Sequence, residues 1–160
     1  AAPALAVGRT APMRMVIQRV SRAEVRVRGE VVGSIGAGLL LLVALERGDA
    51  EADLDGLAEK VLQMRIFEDS AGKMNLSALE RGAELLVVSQ FTLAADLSRG
   101  RRPGFERAAP PEEAERLYEG FVARLGRSGL RVATGRFREF MEVELVNDGP
   151  VTFVLEGRRR

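Results

Sequence analysis

The 160-residue chain contains no histidine, no cysteine and no tryptophan. Without cysteine there can be no disulfide, no thiolate nucleophile and no cysteine zinc site. Without histidine there can be no Ser-His-Asp or Cys-His triad, no imidazole metal ligand and no imidazole general base. Lysine is nearly absent as well. Only Lys60 and Lys73 occur, so 22 of the 24 basic residues are arginines. Against 23 acidic residues the net charge is +1, which is weak for a protein that grips RNA by overall charge. The longest wholly apolar run, Leu39 to Leu45, has seven residues, far short of the roughly 20 that span a bilayer.

What remains is an ordinary globular composition, 46% hydrophobic and 29% charged, unlike that of a disordered chain. The length suits one domain burying roughly two-thirds of its unfolded surface. Residues 1–12 show no positive region ahead of their short apolar stretch, so they do not read as a signal peptide. They read as a disordered leader or cloning remnant, with a domain over 13–157 and a basic tail over 158–160. A cytoplasmic location is expected. No internal repeat and no linker divides the domain.

Met13 opens a patterned segment with apolar residues at Met15, Ile17 and Val20. Val25-Arg26-Val27-Arg28 alternates with period 2, and Arg28-Gly29-Glu30 supplies a turn, so 24–35 predicts a hairpin. Gly38 to Leu45 predicts a strand buried on both faces. A helix follows, with Asp49 expected to cap its free N–H groups and Leu54, Leu57, Ala58, Val61 and Leu62 forming an apolar stripe. Glu68 to Lys73 reads as a turn, and Glu84 to Val88 as a second buried strand. Pro110-Pro111-Glu112-Glu113 starts another helix, with Ala114, Leu117, Tyr118, Phe121, Val122 and Leu125 inward. Strand-like pieces follow at 130–133, 141–146 and 151–155. Asn147-Asp148-Gly149-Pro150, between the last two, has the composition of a hairpin turn. The expected class is α+β: a largely antiparallel sheet or barrel with two amphipathic helices packed on it, in a single domain.

Few residues offer chemistry. The glycines from Gly33 to Gly38 lack the spacing of a phosphate-binding loop. The acids of the first helix read as a solvated face rather than a Mg²⁺ site. Ser89-Gln90-Phe91-Thr92 places three hydrogen-bonding side chains where a buried strand ends, a common place for a site; they could equally serve a turn. A nucleophilic Thr92 would need a base, and no histidine exists to be one. The segment 94–110 holds Arg99, Arg101, Arg102 and Arg107 against Asp96 and Glu106. It is the best candidate for RNA contact, because the arginine fork suits phosphate.

Taken together, Met13 to Val20, Ser89-Gln90-Phe91-Thr92-Leu93 and Asn147-Asp148-Gly149-Pro150-Val151-Thr152 resemble the D-aminoacyl-tRNA deacylase family. Phe67-Glu68-Asp69, Gly72 to Asn75, Gly100 to Pro103 and Ala133-Thr134-Gly135 match the same pattern, and the likeness runs from Met13 to Leu155. The resemblance implies a homodimeric hydrolase of D-aminoacyl-tRNA and of glycyl-tRNA mischarged on tRNA-Ala. It implies that Ser89, Gln90, Phe91 and Thr92 line the pocket at the 3′-terminal adenosine. Gly149 and Pro150 would form a cis pair inserted into the partner's pocket, helped by Arg19, with Met141 and Asn147 also touching substrate. Arg99, Arg101 and Arg102 would contact RNA. Catalysis would lean on the RNA's own 2′-OH, and no metal, cofactor or membrane is called for. The rival expectations are a non-catalytic small dimeric module that binds RNA ends, and a general esterase.

Overall fold

The structure is a computed structural model that describes residues 13–156. The expected leader 1–12 and basic tail 158–160 lie outside the described residues, as does residue 157. Strands β1 (Arg14–Val27), β2 (Glu30–Ile35), β3 (Gly38–Ala44), β6 (Glu84–Ser89), β7 (Val132–Thr134) and β8 (Glu142–Leu155) form one sheet. β4 (Phe67–Glu68) and β5 (Met74–Leu76) form a small ribbon. The helices are α1 (Leu54–Gln63), α2 (Ala78–Arg81) and α3 (Pro111–Gly126).

β1 is the spine. Along one edge it pairs antiparallel with β3 and then β2; along the other it pairs antiparallel with β8. The expected hairpin forms with Val27 opposite Glu30, and its turn residues Arg28 and Gly29 have φ of 50° and 80°. β6 joins β3 in parallel, and β7 joins β6 in parallel. The sheet is therefore less uniformly antiparallel than expected, because α1 and α3 each serve as a crossover between parallel neighbours. β7 curls back toward β2, so the sheet nearly closes into a barrel. At this closure Gly33 leaves no room for a side chain: a Cβ there would collide with the Thr134 carbonyl.

Burial on two faces explains the continuous apolar runs. Leu39, Leu41 and Val43 of β3, with Leu85 and Val87 of β6, face the helices, where they meet the stripes of α1 and α3. Leu40, Leu86 and Val88 face the barrel interior with Val20, Val25 and Ile35, and Met141, Val143 and Leu145 pack against them. The α1 stripe is buried as expected, and in α3 Leu117, Tyr118, Phe121 and Leu125 are buried. The Tyr118 hydroxyl, inside this layer, donates to the Val87 carbonyl at 2.8 Å, so its polar end is satisfied.

Two expectations are corrected. Asp49 does not cap a helix. Its Oδ2 accepts from Glu46 N at 2.6 Å and from Met13 N at 2.9 Å, while α1 starts only at Leu54, after a 3-10 turn over Glu51–Asp53. A long-range partner outbids the nearby helix end, because the Met13 amide is buried and must be paired. Nor is 147–150 a hairpin turn. β8 runs through it as one strand beside β1, and the pairing skips from Gln18–Thr152 to Val20–Asn147. One residue of β1, Arg19, thus faces a bulge of four, Asp148 to Val151. Turn composition is read locally, whereas the path of β8 is dictated by β1 on both sides of the bulge.

Candidate active site

Ser89 ends β6 opposite Val43 of β3, and Gln90 N donates to the Val43 carbonyl at 2.7 Å. The chain then turns into a 3-10 helix over Phe91–Ala94. Its own hydrogen bonding begins with Leu93 N donating to the Gln90 carbonyl. The N–H groups of Phe91 and Thr92 therefore precede the first bond of the turn, the position at which helix donors are left open. Gln90 Nε2 donates to Thr92 Oγ1 at 3.2 Å. Ser89 and Gln90 are half-buried, and Phe91 and Thr92 are exposed. A rigid strand thus presents a short polar lip to solvent.

Met141 reaches the same rim. A Cβ on Gly135 would lie 2.7 Å from Met141 Sδ and 3.7 Å from a methyl of Val88, the residue before Ser89. Met141 therefore lies close to Val88, the residue before the lip, with Gly135 as a close-approach position between them. The composition of 133–135 held no sign of this, because the contact is made across strands.

Gly149 and Pro150 lie elsewhere. Both are exposed, as is Asp148, and the bond between Gly149 and Pro150 is cis. Arg19, 6% exposed, anchors the bulge from beneath. Its Nε donates to the Asp148 carbonyl at 3.1 Å and its Nη1 to the Ile66 carbonyl at 2.9 Å. Carboxylates of Asp148 and Glu68 stand at 3.6 and 3.8 Å. Asn147 stitches the bulge closed, accepting from Val151 N at 3.0 Å and donating to Thr152 Oγ1 at 2.9 Å. Gly149 has φ +135°, and a Cβ on it would stand 2.7 Å from Val151 Cγ2. Among these partners, Ile66 and Glu68 were not foreseen. They are distant in sequence from Arg19 and carry no local signal.

The two motifs do not meet within one subunit. Ser89 pairs with Val43, which pairs with Met15, whereas Arg19 sits opposite Leu39. The offset is four residues along β1, about 13 Å at roughly 3.3 Å per residue. Across the sheet the two motifs lie on β6 and β8, three strands apart.

The arginine segment continues from the lip. Ala109 N donates to the Leu45 carbonyl, Arg47 N to the Arg107 carbonyl, and Asp96 and Gly104 exchange both backbone bonds at 2.7 and 2.9 Å. This tethered loop encloses a cleft of about 380 Å³ lined by Asp96, Arg99, Arg102, Gly104, Glu106 and Arg107. Arg101 is exposed but does not line the cleft. Hydrogen bonds from the Ser98 hydroxyl and N–H hold the Asp96 carboxyl below its ordinary pKa.

The model of the D-Tyr-tRNA(Tyr) deacylase family matches residues 16–156. The chain belongs to this family. It is 59% identical over 147 residues to the D-aminoacyl-tRNA deacylase of Symbiobacterium thermophilum, covering 92% of this chain and 97% of that protein. It is 58% identical over 147 residues to that of Anaeromyxobacter dehalogenans, covering 92% and 99%. Among solved structures, one described as c-Myc DNA Unwinding Element Binding Protein superposes with a TM-score of 0.85 at 39% identity, over 91% of this chain and 99% of that one. Another, described as a probable eukaryotic D-amino acid tRNA deacylase, has a TM-score of 0.81 at 18% identity over 91% and 99%, which speaks to the fold alone. As a member of this deacylase family the chain is a hydrolase that acts on D-aminoacyl-tRNA. No described helix is long and apolar enough to cross a membrane.

Proposed function

We propose that the deacylase acts as a homodimer in which each site is shared. One subunit's Ser89–Thr92 lip, with Met141, holds the terminal adenosine and its ester. The other subunit's Gly149–Pro150 enters the same pocket. The observation that carries this reading is the offset between the two motifs on one subunit, four residues along β1 and three strands across, which a second copy would remove. The free edge of β8 supports it. β8 pairs with β1 alone among the described strands and shows exposed Val146, Phe153 and Val154, and a long apolar edge calls for a cover.

In such a site the carbonyls around Gly149 stand where an L side chain would project, so the L ester is refused by steric conflict. A D side chain points the other way. Glycine has none, so glycyl-tRNA mischarged on tRNA-Ala is also cleaved. The open N–H groups of Phe91 and Thr92 suit the negative charge that develops on the ester carbonyl. No imidazole or thiolate is present to attack, so water is the nucleophile: it adds to the ester carbonyl, the ribose 3′-oxygen leaves and takes up the proton, and the neighbouring 2′-OH orients and activates that water. Arg99, Arg101 and Arg102 contact the RNA, and a cytoplasmic location goes with that substrate.

A non-catalytic small dimeric module that binds RNA ends is the second reading; that a solved relative is described as c-Myc DNA Unwinding Element Binding Protein supports binding of nucleic acid. Mixed dimers separate the two. Thr92→Phe blocks the lip and Gly149→Leu blocks the inserted loop, so each variant alone is inactive on D-Tyr-tRNA. In a random mixture, half of the dimers carry one intact composite site, so about a quarter of wild-type activity returns. No recovery contradicts a shared site. Absence of turnover in the unaltered chain, with tRNA still bound, favours the module.

A further inference from the structure

Beside the lip, Phe91 and Phe105 form an aromatic pair with ring centroids 5.2 Å apart and planes at 56°. Phe91 is 59% exposed and Phe105 37%. The exposed parts of the two rings make an apolar surface beside the site that an occupant would cover. The residues on either side of Phe105, Gly104 and Glu106, line the arginine cleft, so rings and guanidinium groups lie side by side. Arg47 joins it, with Nε donating to the Glu106 carbonyl at 2.8 Å. Arg47, Arg99, Arg101, Arg102 and Arg107 outnumber the carboxylates Glu46, Asp96 and Glu106, a local excess of two positive charges in a chain whose net charge is +1. Arg107 Nε is buried and has no hydrogen-bond partner among the described residues.

We propose that Phe105, held in a tilted pair with Phe91, and the adjoining arginine cleft bind the nucleotides just 5′ of the terminal adenosine in the single-stranded 3′ end of tRNA. This rests on the reading that the Ser89–Thr92 lip holds that adenosine. A single strand leaving the lip presents flat bases at one-nucleotide intervals and a phosphate between each. Exposed aromatics recognise the former by stacking, and arginine forks recognise the latter. A protein without broad positive charge thereby concentrates its hold on a few nucleotides. Such a surface accepts every tRNA, since all end in the same unpaired CCA. Phe105 is a binding residue here and does not touch the ester.

Two measurements on the full chain test this. The first is fluorescence anisotropy of a 5′-labelled CCA trinucleotide. Phe105→Ala weakens binding about tenfold, as the loss of one stacked base requires. Phe105→Tyr, which keeps the ring, stays within about twofold, and Phe105→Leu behaves like the alanine variant. The second is turnover of D-Tyr-tRNA against D-tyrosyl-adenosine, which lacks the preceding nucleotides. The KM for the tRNA rises about tenfold more than the KM for the adenosine ester. An equal effect on both substrates, or equal trinucleotide binding by all three variants, overturns the proposal. If the unaltered chain hydrolyses neither ester but its trinucleotide binding follows the ring at 105, the deacylase reading fails and this one stands.

Discussion

Arg19 Nε donates to the carbonyl of Asp148 at 3.1 Å across the larger of the two breaks in the β1–β8 ladder. A buried guanidinium takes up the Asp148 carbonyl within the bulge. It also ties the bulge to β4 through Ile66. The geometry needs a planar donor with two separated N–H directions, which arginine has and lysine lacks.

Arg19→Lys should therefore lose one of the two carbonyl bonds and destabilise the chain by about 1–2 kcal/mol. Chemical denaturation measures this. The larger expected effect is on selectivity: with the bulge loosened, the ratio of D-Tyr-tRNA to L-Tyr-tRNA hydrolysis falls. A variant as selective as the parent would show that Arg19 holds the fold but not the loop.

Thr92→Ala should keep deacylase activity within about tenfold. The Thr92 hydroxyl accepts a bond from Gln90 at 3.2 Å, and the chain has no histidine to serve as its base. Single-turnover deacylation of D-Tyr-tRNA checks this. A loss of a thousandfold or more with tRNA binding intact would make the hydroxyl a catalytic group after all.

Asp49 predicts a pH dependence of stability. Burial pushes its carboxyl up from 3.8 to about 6, against the opposing pull of two backbone N–H groups. Between those values the folded state keeps the proton that the unfolded state releases. Its stabilising contribution is thus full below about pH 4 and is lost as the pH rises to about 6. Two pKa units correspond to about 3 kcal/mol. Asp49→Asn keeps an acceptor for both N–H groups without the charge. Relative to the parent it should gain stability from pH 4 to pH 6.5. Unfolding free energies of the two chains across that range give the test, and a constant difference would contradict it.

Much of this architecture is legible in the chain. Period-2 alternation marks the end of β1 and the Arg28-Gly29-Glu30 turn marks the hairpin into β2, continuous apolar runs mark β3 and β6, and the stripes of α1 and α3 fall where 3.6 residues per turn put them. Each of these signals is local. The parts that are not legible depend on pairing between distant segments. Asn147 to Pro150 has the residues of a turn, yet β1 carries β8 straight past it. Asp49 has the chemistry of a cap, yet a buried N–H at Met13 takes its carboxylate. Ser89 to Thr92 could be located as a polar lip at a strand end. That Met141 comes close to Val88 beside Gly135, and that Gly149 stands apart from the lip, follows only from the order of the strands. Phe105 gave no signal beyond being an aromatic residue in an arginine-rich segment.

The central claim is that the site discriminates at the α-carbon by excluding the L side chain. Parallel deacylation of D-Tyr-tRNA and L-Tyr-tRNA by the same purified chain tests it most directly. Rapid release of D-tyrosine with L-Tyr-tRNA left at its spontaneous rate is the predicted result. Comparable release from both esters would contradict it.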